Sequence, residues 1–568
     1  MAGKTGRQAI IEQFLADGMN LMFGNPGTVE QGFLDALAGY PQMRYILTLQ
    51  ESVAVLMADG YARATRKPAL VQLHSTPGVG NAIGALYQAK RGHAPLVVIG
   101  GDAGVRYQGL DAQMAGDLVA FAEPVTKWAA VVNHPSSLLR MLRRAIKIAA
   151  TPPVGPVYLC LPMDVLDEPA TEDVYPTCIP STRTFPAAEL TEQAARWLAA
   201  ADEPVIFMGD GIAYSGAQGE LTEVAELLGA EVWGVDSGEL NMAYDHPLYR
   251  GQTGHMFGEQ SLPITRKGDV ILACGTYLLP EVFPQLGEIF VPGAKIIHFD
   301  LNAYEIAKNH PVDLGVVCDP KLSLAALARE IRTVRTHEQA AAAAQRVQAL
   351  TRSKELAHRS ELAKDQGLRG QLPMQAAPFM EELARQLPEG AVIFDEALTN
   401  SPALTRYLPP RFSGEFFQTR GGSLGIGIPG AIGAKLARPE KMVIGFSGDG
   451  GSMYTIQALW SAARHAVNAK FVILNNASYK LLQLNIQAWW KEQAITEHAF
   501  PLCFDLSQPV IRFDQLAASL GVPAVRVERP GEIEGAIRQM LAHPGPFLID
   551  LVLEGNTHPE LIGIKCGQ

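Results

Sequence analysis

Apolar positions along this chain fall into two alternating kinds of stretch. Short, nearly unbroken runs such as Ala69-Leu70-Val71-Gln72-Leu73 and Met442-Val443-Ile444-Gly445-Phe446 are bounded by glycine, proline or polar residues. A strand covered on both faces of a parallel sheet reads this way. Between them lie longer segments of helical pattern, Ser52 to Arg66 among them. This alternation predicts doubly wound sheets, and it occurs three times. Residues 1–185 carry strand runs at Leu21 to Phe23, Tyr45 to Leu47, Ala69 to Leu73, Pro95 to Ile99 and Pro156 to Leu159. Residues 186–355 carry them at Val205 to Met208, Val270 to Ala273 and Lys295 to Phe299. Residues 356–568 carry them at Ala391 to Phe394, Met442 to Phe446, Phe471 to Leu474 and Phe547 to Asp550. We therefore expect an α/β chain of three doubly wound parallel-sheet domains with those boundaries. Cys178 to Pro186 reads as a linker. Thr336 to Gly370 is helix-prone without a sustained a/d register, and reads as a connecting helix rather than a coiled coil.

Composition narrows the function. The 568 residues exceed a single core and agree with domains of about 150–200 residues each. A formal net charge of −11, with no Lys/Arg block, argues against nucleic-acid or anionic-membrane partners. Cysteines at 160, 178, 274, 318, 503 and 566 form no Cys-x-x-Cys pair, so free thiols in a reducing compartment are expected. The start lacks the long apolar segment of a signal peptide, and runs such as Leu96 to Ile99 are too short to span a bilayer. A soluble cytoplasmic enzyme is the expectation.

The most informative segment is Gly448-Asp449-Gly450-Gly451-Ser452, entered from the strand at Met442 and followed by a second strand ending at Asn475-Asn476. Ser452 to Val467 reads as the crossover helix between them. Asp449 and Asn476 then sit at carboxyl ends of strands, where open α/β sheets bind ligands. An aspartate, an asparagine and a backbone carbonyl are oxygen donors for a hard divalent cation, and glycines admit a diphosphate close to the backbone. A second Gly209-Asp210-Gly211 has no paired asparagines after it and reads as a structural turn. The segment at 448 resembles the signature of thiamine-diphosphate-dependent enzymes, which include 2-oxo acid decarboxylases, acetolactate synthases and benzaldehyde lyases. The resemblance implies that Asp449, Asn476 and the carbonyl of Ser478 bind Mg²⁺. It also implies that Gly448, Gly450, Gly451, Ser452, Asn476, Ser478 and Tyr479 meet the cofactor. Thr399, in the turn Asp395 to Asn400, is a further diphosphate candidate. Leu424, in Arg420 to Ala431, matches the apolar wedge that bends the cofactor, the alternative being an ordinary core leucine. Trp489 and Trp490 are left between pocket and subunit packing.

The first domain supplies matching features. Glu51 precedes a helix carrying Asp59-Gly60-Tyr61-Ala62-Arg63, and a carboxylate there can simply cap the helix. By the resemblance Glu51 bonds N1′ of the aminopyrimidine and promotes removal of the C2 proton. The ylid so formed attacks the substrate carbonyl and leads to an enamine, the cofactor acting as electron sink. Gly24-Asn25-Pro26-Gly27-Thr28 and Leu73-His74-Ser75-Thr76-Pro77-Gly78-Val79-Gly80-Asn81-Ala82 resemble the benzoylformate decarboxylase branch, which places Thr28 and His74 in the active site. A purely structural His74 is the alternative. Gln113 stands where the family lines its substrate pocket, or else packs a loop. That branch has a second histidine from the middle domain. Here Gly275 to Phe283, with Val282 at the corresponding place, has none, and His255 is the nearest upstream. The middle domain also lacks the arginine-rich motif of flavin-binding acetolactate synthases, so FAD is not expected. The resemblance implies a homodimer or homotetramer with the cofactor at a subunit interface. It implies decarboxylation of a 2-oxo acid, possibly aromatic, or carboligation. An acetolactate-synthase-like or benzaldehyde-lyase-like carboligase acting on 2-oxo acids or acyloins stands as the alternative, and a noncatalytic cofactor-binding protein as the remote one.

Overall fold

The computed structural model describes residues 4–555, so Met1–Gly3 and Cys566 lie outside it. Three sheets organise the chain, and every pairing whose register is described is parallel. The first comprises β1 (Leu21–Gly24), β2 (Arg44–Leu47), β3 (Ala69–Leu73), β4 (Leu96–Asp102), β5 (Ala129–Val131) and β6 (Val157–Pro162), in the order β2-β1-β3-β4-β6-β5. The second comprises β7 (Pro204–Met208), β8 (Glu231–Gly234), β9 (Tyr249–Gln252), β10 (Val270–Cys274), β11 (Lys295–Asp300) and β12 (Leu314–Val317), in the order β12-β11-β10-β7-β8-β9. In the third, β13 (Val392–Glu396), β15 (Val443–Gly448), β16 (Lys470–Asn475), β18 (Phe547–Val552) and β17 (Ala524–Val527) follow one another. β14 (Phe416–Gln418) belongs to a different compact unit.

Two such units are formed. One gathers the first and third sheets from the segments up to Pro180, Leu368–Leu408 and from Thr419 onward. The other holds Ser181–Gly367 with Pro409–Gln418. The expected connecting helix is present as His337–Gln366, opened by a reciprocal capping box between Thr336 and Gln339. Among the described residues no helix is long and apolar enough to cross a membrane.

The central strands match the apolar runs because they are buried throughout, as in β3, β6, β10 and β16. One element differs from its sequence reading. Ser452 to Val467 is not one helix: Asp449–Ser452 forms a single turn, and a separate helix spans Ala458–Arg464. In the gap, Thr455 donates its hydroxyl to the Gly425 carbonyl at 2.5 Å. Side chains that bond outside the ladder compete with helix continuation.

In the first unit the helix Glu51–Thr65 crosses the helix Gly427–Ala437 backbone against backbone. A Cβ at Gly60 would overlap the Gly430 carbonyl oxygen, and one at Gly433 would overlap that of Met57. One turn on, Arg63 is buried in an ion pair with Asp59 at 3.5 Å and lies over the Phe394 ring. Asp59 to Arg63 is thus a packing motif that locks the two helices. We expect Gly433→Ala to destabilise by about 1–3 kcal/mol, read as a lowered melting midpoint. Gly535→Ala, where a Cβ meets open space, should leave the midpoint level or raise it.

Candidate active site

Glu51 is the first residue of its helix, but it does not cap it. Gln50 does, accepting from the Val53 N–H at 3.2 Å. Glu51 is 7% exposed and points elsewhere. Its Oε1 accepts from Asn25 Nδ2 and its Oε2 from Asn81 Nδ2, both at 3.0 Å. Each carboxylate oxygen therefore has one amide donor, from the turn after β1 and from the helix Ser75–Arg91. Both asparagines lie inside the segments that resembled a known branch, yet nothing in the sequence singled them out.

His74 precedes that same helix. Its Nδ1 lies 2.9 Å from Oε2 of Glu30, whose Oε1 accepts from the Gly101 N–H at 3.1 Å. Burial pushes the Glu30 carboxyl up, and His74 pulls it back. The imidazole fills the place where a side chain at residue 27 would stand, which is why Gly27 carries none. With Nδ1 engaged by Glu30, Nε2 is the nitrogen left to take or give a proton. Thr28 is exposed, immediately beyond Gly27. Gln113 is also exposed, in a loop pinned by Ser75 Oγ and Thr76 Oγ1, which donate to the Met114 carbonyl at 3.1 and 2.8 Å. Gln113, Val29, Ser75, Asp102 and Tyr107 share one small cleft. Ser75 itself has φ +44, a left-handed strain that clusters at binding sites. Gln113 thus lines this cleft together with Val29 and Ser75, the residues that directly follow Thr28 and His74 in the chain.

At the end of β15, Asp449 is 4% exposed. Its Oδ1 accepts from the Gly450 N–H at 2.7 Å, while the buried Oδ2 has no hydrogen-bond partner. Burial pushes this carboxyl up to about 6, and the N–H groups of Gly450, Ala477, Ser478 and Asn476 pull the other way. Asn476 is buried, and its Oδ1 accepts from the Ser478 N–H at 3.1 Å, making a tight turn through Ala477 at φ +53. An orphaned carboxylate oxygen facing an amide turn is a donor set that suits a small hard cation. Beside it, a Cβ at Gly448 would meet open space, whereas one at Gly450 would overlap the Tyr479 ring. The backbone at Gly448 therefore offers room for a diphosphate, with Tyr479 packed against Gly450 alongside. Ser452 is otherwise engaged: its hydroxyl donates to the Gly448 and Asp449 carbonyls at 2.8 and 3.0 Å.

Thr399 is half-buried in a short turn after β13. Leu424 is half-buried too, unlike the fully buried Ile426 and Ile428 that follow it. Trp490 is buried and stacks on Phe500 within its own unit, whereas Trp489 is exposed. No hydrogen bond or ion pair joins the Glu51 cluster to the Asp449 cluster among the described residues.

In the second unit the turn at Gly209-Asp210-Gly211 fastens loops. The Asp210 carboxylate accepts from the Gly238 and Glu239 N–H groups at 3.0 Å and from Asn241 at 3.1 Å. His255 lies beside Val282, whose N–H donates to the His255 carbonyl at 3.1 Å, and both residues are exposed.

Three family models match the chain: the thiamine pyrophosphate enzyme N-terminal TPP binding domain over residues 4–121, the central domain over 191–327 and the C-terminal TPP binding domain over 399–551. Benzoylformate decarboxylase of Pseudomonas aeruginosa is 31% identical, over 96% of this chain and 98% of its own length. A probable chloroplastic acetolactate synthase 2 of Oryza sativa subsp. japonica is 28% identical over 98% of this chain and 84% of its own. Among solved structures, the thiamine diphosphate-dependent 4-hydroxybenzoylformate decarboxylase of Rhodococcus jostii RHA1 superposes with a TM-score of 0.83 at 25% identity, covering 97% of this chain and 99% of that one.

Proposed function

Because this chain belongs to the thiamine pyrophosphate enzymes, and is a thiamine-diphosphate-dependent carbon–carbon lyase or carboligase, we propose that it decarboxylates an aromatic 2-oxo acid of the benzoylformate type. The observation that carries this reading is Glu51: buried, excused from capping, and clamped by Asn25 and Asn81, with the His74–Glu30 pair beyond the ends of strands of the same sheet. Resemblance to two benzoylformate-type decarboxylases over almost the whole chain supports the substrate class.

When bound, thiamine diphosphate supplies an electron sink at its thiazolium ring. The chain's own residues do the rest. Asn25 and Asn81 hold the Glu51 carboxylate in place, and Glu51 would exchange a proton with N1′ of the bound aminopyrimidine. Asp449 Oδ2, Asn476 and the Ser478 carbonyl would hold Mg²⁺, and the backbone of Gly448 to Gly451 with Thr399 and Tyr479 would hold the diphosphate. Leu424 would support the cofactor when it is bound. His74 delivers a proton from Nε2 to the product carbon, Thr28 orients the substrate carboxylate, and Gln113 bonds a substrate oxygen. Residues 1–185 act as the pyrimidine side, 356–568 as the diphosphate side and 186–355 as a flavin-free central part. We place the protein in the cytoplasm as a homodimer or homotetramer, with each site shared between copies.

A carboligase reading has its own support. No histidine occurs between Gly275 and Phe283, and the exposed Gln113 offers a hydrogen bond without a proton to give. The two readings part in one experiment: benzoylformate or pyruvate is supplied with and without an acceptor aldehyde, and aldehyde, acyloin and acetolactate are quantified. Aldehyde from benzoylformate supports the decarboxylase, and acetolactate from pyruvate the alternative. In the same assay His74→Ala is expected to lower aldehyde release by about 10²-fold while the acyloin fraction rises. An unchanged partition would remove His74 from proton transfer.

A further inference from the structure

β13 ends at Glu396, which is 1% exposed and has only uncharged hydrogen-bond donors around it. Burial pushes its carboxyl up to about 7, and the N–H groups of Gly427 and Gly425, the Ser447 hydroxyl and the Ile426 N–H oppose that rise. A carboxylate in so dry a place is destabilising unless its lone pairs are filled. Three donors fill them. Gly425 N–H meets Oε1 at 2.5 Å, Gly427 N–H meets Oε2 at 2.8 Å, and Ser447 Oγ meets Oε2 at 3.0 Å.

These donors come from two different places. Gly425 and Gly427 follow directly on Leu424 and open the helix Gly427–Ala437. Ser447 pairs with Glu396 in the register of β13 and β15, and leads into Gly448 and Asp449. Thr455, beyond the Asp449–Ser452 turn, closes the ring by donating to the Gly425 carbonyl. Because Leu424 is only half-buried, its position is set by this backbone more than by side-chain packing.

We propose that Glu396 is a positioning residue, which ties the turn carrying Leu424 to the strand end carrying Asp449 and so fixes the bend of the bound cofactor. The proposal rests on the cofactor assignment made above. Misplacing a reacting geometry by 1 Å costs about 10²-fold in rate, so the tie matters for proton transfer at C2 and little for holding the diphosphate.

Glu396→Gln keeps the shape but turns one acceptor oxygen into an amide that meets a backbone N–H. In the cofactor-free protein, amide hydrogen exchange of the peptide spanning Gly425 and Gly427 should accelerate. In the loaded protein, exchange of the cofactor C2 proton should slow by about 10–10²-fold, while calorimetric affinity for thiamine diphosphate with Mg²⁺ is retained. In a Leu424→Ala background the same substitution should add nothing, since coupled residues are not additive. Unchanged amide protection, wild-type C2 exchange in a folded Glu396→Gln, or full additivity with Leu424→Ala would each overturn the proposal. Should Glu396→Gln fail to fold, Ser447→Ala, which removes a single donor, decides by the same measurements. A wild-type protein that neither binds thiamine diphosphate nor exchanges C2 would overturn the cofactor assignment as well, and so is distinguishable.

Discussion

Glu51→Gln should still bind thiamine diphosphate while exchanging its C2 proton about 10²–10⁴-fold more slowly than wild type, the usual loss when a positioned acid–base group is removed. Glutamine has the same length and keeps one acceptor oxygen, so one of the two clamping asparagines retains its bond. The other meets an amide, and the side chain no longer has a proton to exchange with N1′. Because Gln50 rather than Glu51 caps the helix, the substitution spares the helix N-terminus, and a lowered rate cannot be ascribed to fraying. Deuterium exchange at C2, followed by acid quench and proton NMR, gives the rate directly. An exchange rate equal to wild type would remove Glu51 from this role.

Asp449→Ala should give the opposite pattern. It deletes the buried Oδ2 that lacks a protein partner and, with Oδ1, the bond from the Gly450 N–H, so the interaction lost from the loaded protein beyond that local turn bond is the one to the cation. We expect Mg²⁺-dependent cofactor affinity to fall by at least about 10²-fold, more than the 10–10²-fold typical of groups that merely support a metal ligand. The apoprotein should not lose stability in proportion, because the substitution also removes a carboxylate that burial disfavours. Calorimetric titration with thiamine diphosphate at several Mg²⁺ concentrations tests this. Wild-type affinity in the variant would refute the metal assignment. Together the two variants separate the chemistry of one half-site from the binding strength of the other.

The parts of the fold readable in the sequence are those where one physical term dominates. Central strands such as β3, β10 and β16 are buried on both faces, so hydrophobicity alone writes them. The strands not anticipated are mostly short and lie at or next to sheet edges. β5 is half-buried at every position, and β12 alternates buried and exposed. Edges need less apolar surface and leave a weaker trace. The site divides similarly. Asp449 and Asn476 stand in a dense local pattern of glycines and amides. The groups that hold the acids do not: Asn25 and Asn81 reach Glu51 from 26 and 30 residues away, and Glu30 reaches His74 across 44. Polar residues at such separations carry no periodicity. Glu396 stood in plain view in the turn after Phe394, but its task depends on Gly425 and Ser447, which only the folded chain brings to it.

The glycine crossing of the helices Glu51–Thr65 and Gly427–Ala437 bears on how this chain can be divided. With Gly60, Gly430 and Gly433 at the contact, neither helix has a side chain there that could repack against a substitute. A fragment ending near Pro180 would leave a bare groove of peptide groups along Met57 to Tyr61, together with the buried Asp59–Arg63 pair stripped of its Phe394 cover. The first and third sheets are therefore one cooperative body written as two distant stretches of gene. A chimera that exchanges only one of them with a relative inherits half of a fitted joint, and should be recovered as inclusion bodies unless both helices travel together.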